Sequence, residues 1–285
     1  MRALVLFLFL ALSLPSPPGA WGADILILQS SGSPAYSEAV RGFRAVCKSS
    51  EQTLLLSDFA EVDVQRIVKE ERPRLVLAVG DKALTASRKV REVPVLSMLS
   101  LSLNLAKPPP EHIGGTAMAV APEQYLKLFA TLGVKRVGVL YDPKKTGQYL
   151  KRAALEAREQ GIFLVSEEVR EPRDLQSRLE MMKGSVDAVW MLPDSTVVTM
   201  VNVEALLLFS MSHNIPAVTF TSLYLKNGAA AALEIDPFDM GMQTGELAAS
   251  LLRGGVRKVQ VVDPRKVQLK SNESVLRKLH LKLPN

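Results

Sequence analysis

Cysteine is almost missing from this chain of 285 residues: Cys47 stands alone, so an internal disulfide framework and a cysteine-rich zinc cluster are both excluded. The segment around it, Ala39–Lys48, has apolar residues at helical spacing, and a lone thiol there reads as buried packing. Histidine is scarce too. His112, His213 and His280 lack a second histidine or cysteine at metal-ligand spacing, so neither a metal nor another cofactor is expected. The chain has no G-x-S-x-G elbow, no Walker A run and no G-x-G-x-x-G loop, which leaves hydrolase, nucleotidase and dehydrogenase readings unsupported. With no nucleophile and base to pair, the expectation is a protein that is not an enzyme. The basic excess is small, 35 Lys and Arg against 29 Asp and Glu, and along Lys144–Arg158 the basic residues alternate with acids. That is a solvated face, not a phosphate-tracking stripe, so nucleic acid is not an expected partner.

What the chain has is apolar material, 47% of its residues, enough for a substantial core in one large or two medium domains. At the N-terminus Arg2 precedes the apolar run Ala3–Leu14, then Pro15, Pro17, Pro18 and Gly19, then small residues around Ala20 and Gly22. This is the three-part pattern of a secretory signal peptide, over residues 1–22, and the run is too short for a typical membrane span of ~20 apolar residues. Cleavage after Gly22 is expected to leave a periplasmic protein beginning at Ala23.

Beyond Asp24, short apolar runs of strand character alternate with longer amphipathic stretches, the sequence form of a parallel sheet covered by helices. The fold class is therefore α/β. Strand candidates in the first half are Ile25–Gln29, Thr53–Leu56, Leu75–Gly80, Pro94–Met98 and Gly114–Met118; in the second half, Arg136–Tyr141, Ile162–Glu168, Ala188–Leu192, Ala217–Phe220 and Ala230–Ile235. The repeated rhythm predicts two facing lobes, with the proline-rich Lys107–Glu111 just before the first passage between them. Residues 23–117 with 237–256 are expected in lobe 1, and 118–236 with 257–285 in lobe 2. Asp239–Arg253 reads as a helix returning to the first lobe, and Met200–Met211 as a helix whose Met and Leu residues serve the core.

From "VKRVGVLYDPKKTGQYLKRAALEAREQGI" onward, through "VDAVWMLPDSTVV" and "LEIDPFDMGMQTGELAASLL" to "PRKVQLKSNESVLRKLHLKL", the chain resembles the substrate-binding proteins of ABC transporters, in the family that includes an aromatic amino-acid binder. The likeness covers nearly all of Val134–Leu283; "RPRLVLAVGDKALTAS" and "VPVLSMLS" match in layout. The resemblance implies a type I periplasmic-binding fold: two Rossmann-like lobes, three crossovers forming the hinge, a ligand in the cleft, and a membrane permease as partner. After the fourth strand the chain departs from the family. Where members commonly carry a polar turn containing Asp-Pro it reads "LSMLSLSLNLAKPPP", which suggests a more hydrophobic ligand or a lobe face adapted to a protein partner.

Ligands of parallel α/β sheets bind beyond the carboxyl ends of the strands, which nominates the residues there. In the first lobe these are Ser30 and Ser31, then Gly80, Asp81 and Lys82, then Ser97; hydroxyls and helix N–H groups there suit a carboxylate or phosphate. Asp81 is equally placed to cap a helix, and Lys82 to lie in solvent. In the second lobe the nominees are Tyr141, Asp194, Ser195, Thr196 and Ser222, with Asp236 at the second crossover. Asp194 reads as a helix cap or a ligand contact, Tyr141 and Tyr224 as packing or an aromatic face for a ligand, and Asp236 as the favoured acceptor for a ligand amino group. The expected activity is capture of a small polar or amphipathic solute for an ABC permease. The rival is a ligand-sensing or partner-binding periplasmic module that kept the fold without transport.

Overall fold

The computed structural model describes residues 22–254 and 259–283. The leader segment expected over residues 1–22 lies, but for Gly22, outside them. In the first unit β1 (Ile25–Gln29), α1 (Pro34–Val46), β2 (Glu51–Leu55), α2 (Val64–Glu71), β3 (Leu75–Val79), α3 (Asp81–Ser87), β4 (Val95–Met98) and β5 (Ile113–Thr116) follow one another. The chain then crosses over to α4 (Pro122–Thr131), β6 (Arg136–Tyr141), α5 (Pro143–Glu159), β7 (Phe163–Glu168), α6 (Leu175–Met182), β8 (Ala188–Trp190), α7 (Met200–Ser212), β9 (Ala217–Thr219) and β10 (Ala231–Ile235). α8 (Pro237–Leu252) returns to the first unit, where β11 (Val261–Val262) also lies; β12 (Val267–Ser271) and α9 (Glu273–Lys278) end in the second.

Two six-stranded sheets result, ordered β11-β5-β4-β3-β1-β2 and β12-β10-β9-β8-β6-β7. Among the described residues every pairing is parallel except β10 with β12. β1 and β3 are buried along their whole length because helices cover both faces of a parallel sheet, which is why Ile25–Leu28 and Leu75–Val79 read as unbroken apolar runs. Three segments join the units, after β5, between β10 and α8, and between β11 and β12. This is the type I periplasmic-binding architecture.

One boundary differs from the sequence expectation. Residues 257–285 were expected together in the second lobe, but Val261 and Val262 pair with Gly115 and Thr116 of β5, so the last crossover falls after Val262. A two-residue edge strand carries too little pattern to reveal its sheet.

Two Asp-Pro pairs start helices by the same chemistry. Asp142 accepts from the Lys144 N–H and Pro143 opens α5; Asp236 accepts from the Asp239 N–H and Pro237 opens α8. The carboxylate satisfies an otherwise unpaired N–H, and proline supplies the helical φ where no N–H is needed. α8 lies closely against α1 because glycines stand at the contact: a methyl at Gly42 would strike the Phe238 carbonyl, and one at Gly241 the Ala39 carbonyl. The second lobe is centred on Trp190, with the rings of Tyr125, Phe129 and Tyr149 at centroid distances of 4.8, 6.0 and 5.9 Å. Cys47 is buried in the first lobe, as its helical context predicts.

Candidate functional site

A cavity of about 540 Å³ opens between the two lobes. The first lobe contributes Ala35, at the start of α1, and Leu99 and Leu101, just past β4; the hinge contributes Met118, Ile235 and Pro237. The second lobe provides the largest share, including Tyr125, Tyr149, Phe220 and Tyr224. Tyr125 and Tyr149 are held from behind by Trp190, so the aromatic floor of the cleft is also the wall of the core. Tyr149 donates to the Val120 carbonyl at 2.6 Å, tying α5 to the first crossover. Burial raises the pKa of the Tyr125, Tyr149 and Tyr224 hydroxyls, which therefore stay protonated.

Among the described residues, four that line the cavity are neither aliphatic nor aromatic: Asp194, Ser195, Thr221 and Glu234. Both carboxylates are already engaged. Asp194, 1% exposed, accepts from the Thr196 and Val197 N–H groups through Oδ1, and from the Asp142 N–H and Thr146 hydroxyl through Oδ2. It ties the β6 and β8 loops together. Glu234 accepts from the Thr221 and Ser222 hydroxyls and the Ser222 N–H, and is paired with Lys270 of β12. Burial would push the Glu234 carboxyl up, but the Lys270 and Ser222 hydrogen bonds outweigh it and hold it below its ordinary value.

The other nominated residues are used within the lobes. The Ser30 hydroxyl donates to the Val79 carbonyl and accepts from the Ala83 N–H, joining β3 to α3. Ser31 offers its carbonyl to the Gln29 side chain. Gly80 has φ +88°, and a side chain there would meet the hydroxyls of Tyr36 and Ser30. Asp81 accepts from the Ser100 hydroxyl and the Leu101 and Ser102 N–H groups; burial works against its charge, yet these bonds keep its pKa below the ordinary value. It therefore shapes the loop that presents Leu99 and Leu101. Lys82 turns away, donating to the Leu56 carbonyl and lining a separate groove beside Phe59. Ser97 is wholly buried in β4, its hydroxyl without a partner.

In the second lobe Tyr141 packs partly against the core, with Glu168 beside its hydroxyl. The Thr196 hydroxyl donates to Asp142 at 2.7 Å, and Ser222 serves Glu234. Asp236 caps α8 and is paired with Lys266 at 2.6 Å, which lowers its pKa. Of the twelve nominated residues, Asp194 and Ser195 line the cavity. Glu234, Tyr125 and Phe220 were not nominated. Glu234 lies on β10, two residues before Asp236, and its alternation with buried Leu233 was the available signal.

The loop that departs from the family pattern reaches across the hinge. Leu105, 2% exposed, is packed in the core cluster of the second lobe, and its carbonyl accepts from the Tyr149 N–H at 3.0 Å. Among the described residues no group of acidic, histidine or cysteine side chains is arranged to hold a metal ion, and no helix is long and apolar enough to cross a membrane.

Two lobes around a cleft at the carboxyl ends of their strands define the class of the molecule, and the comparisons agree. The ABC transporter substrate binding protein family matches residues 56–285, and the chain belongs to it. Among solved structures it is similar to the ligand-free, open form of CD0873, a substrate binding protein with adhesive properties from Clostridium difficile, with a TM-score of 0.69 and 19% identity over 92% of this chain and 96% of that one. An ABC domain from Streptococcus pneumonia in complex with L-Trp gives 0.61 and 19% over the same shares. The arabinose binding protein AraP from Geobacillus stearothermophilus gives 0.60 and 14%, over 89% and 97%. At such identities these likenesses concern the fold. No curated protein matches the chain in sequence.

Proposed function

We propose that the protein is an exported, periplasmic solute-binding component that captures a small amphipathic molecule between its lobes and passes it to an ABC permease, without chemical change to the ligand. The observation that carries this reading is the cavity of about 540 Å³ walled by both lobes and by the hinge, within the ~300–1,000 Å³ typical of ligand sites. A solute touching Leu99 and Leu101 on one side and Tyr224 and Phe220 on the other makes its full set of contacts only when the lobes are together. Binding then shifts the population toward closure, which is what a permease can recognise. Small-angle scattering with and without a stabilising solute tests this: the radius of gyration should fall at saturation, and an unchanged profile would refute closure.

The pinned loop favours a second reading. Leu105, seated in the opposite lobe, restrains the hinge, as suits a module that presents one fixed shape to a periplasmic partner. A scattering profile indifferent to a tightly bound solute would support it.

A further inference from the structure

The polar chemistry of the cleft defines a ligand class, and this inference rests on the solute-binding reading above. A charged ligand group transferred from water into an apolar cleft must find a charged or strongly hydrogen-bonding partner there. The two cleft carboxylates have none to spare. Asp194 already accepts four hydrogen bonds, two at each oxygen. Glu234 is occupied by Thr221 and Ser222 and neutralised by Lys270. Among the described residues, none of those lining the cavity is a lysine, arginine or histidine. The hydroxyl of Thr221 is itself committed to Glu234, and that of Tyr149 to Val120. Among the lining side chains, what remains to face a ligand is an aromatic and aliphatic wall with the neutral hydroxyls of Ser195 and Tyr224, that of Tyr125 being turned to the Thr219 and Leu233 carbonyls. The loop after β4, where Asp81 takes the hydrogen bonds of Ser100, Leu101 and Ser102, delivers leucines in place of a polar turn.

We infer that the cleft takes an uncharged, predominantly apolar solute carrying one or two neutral hydrogen-bonding groups, rather than a zwitterionic amino acid, an organic cation or an anion. Binding is driven by removal of ligand and wall from water, with the hydroxyls fixing orientation.

The test uses four probes with one ring and different charge: indole-3-ethanol, tryptamine, indole-3-acetate and L-tryptophan, each titrated calorimetrically into the mature protein. The neutral alcohol should bind about tenfold or more tighter than each charged relative, the penalty for burying a charge that finds no partner. Leu223→Asp, at a cleft-lining side chain 73% exposed and so tolerant of change, should weaken the alcohol and bring tryptamine level with it or ahead. Equal or tighter binding of L-tryptophan or another charged probe would overturn the uncharged class while leaving solute binding intact. An alcohol that binds Leu223→Asp and the native protein alike would place its site outside the cleft and overturn the proposal as well. Binding by none of the four would also overturn it; whether the protein binds another solute is then read separately, from a small molecule retained through gentle purification.

Discussion

Replacing Asp194 by alanine separates an architectural carboxylate from a ligand anchor. The side chain is 1% exposed and holds four donors, the N–H groups of Asp142, Thr196 and Val197 and the hydroxyl of Thr146 at 2.6 Å. Alanine removes every acceptor at once. Each buried donor left unpaired costs ~1–3 kcal/mol, but the Thr146 hydroxyl can rotate to another acceptor and water can enter the space, so the sum is not four full penalties. A loss of about 3–5 kcal/mol follows, the range found when one partner of a buried charged network is removed. For a chain of this size that is a fall in Tm of roughly 6–20 °C. Urea unfolding followed by circular dichroism, on the protein without added solute, measures it. A destabilisation under ~1 kcal/mol, accompanied by a large loss of solute affinity, would refute the reasoning and return Asp194 to the ligand.

Further outcomes follow from the same contacts. Gly241→Ala drives a methyl into the Ala39 carbonyl at the α1–α8 contact and should cost ~3 kcal/mol, the upper end of ordinary overpacking; an unchanged urea midpoint would contradict it. Leu105→Ala removes a buried leucine from the second-lobe core and should cost ~2–5 kcal/mol, with faster hydrogen exchange along the Leu101–Pro110 loop; native-like exchange there would show that Leu105 is no anchor. Asp81, Glu234 and Asp236 all have pKa values lowered in the folded protein. Their contribution is therefore complete above the unfolded carboxylate range of about 4, and is lost as pH falls through the lower folded values. The urea midpoint should hold from pH 7 to 5 and drop below pH 4. A midpoint that rises on acidification would invert the sign.

Much of the fold was legible because its signals are local. Four consecutive buried apolar residues in β1, Ile25–Leu28, and five in β3 can hardly be anything but strands covered on both faces. The expected helix Asp239–Arg253 is there as α8, starting two residues earlier at Pro237. The site was less legible, and for a physical reason. A serine or aspartate at a strand end is equally fit to bind a ligand or to satisfy the turn that follows, and only the tertiary partner decides. Ser30 and Asp81 found partners inside their own lobe and Asp236 found Lys266 in the hinge; Asp194 lines the cleft with its acceptor capacity spent. The aromatic residues that wall the cleft, Tyr125 and Tyr149 among them, look like core in the sequence because they are core on their other face. The leucine-rich loop after β4 was the exception: its loss of polarity was visible in the letters, and its side chains are those the first lobe presents.

The most direct test is native mass spectrometry of the protein purified gently from cells expressing the full chain. The account predicts protein carrying one small molecule of defined mass, uncharged once released by denaturation, whose removal lowers Tm and whose return restores it, since a ligand bound only to the folded state stabilises by mass action. Bare protein, with a Tm unmoved by any solute extracted from the same cells, would contradict it.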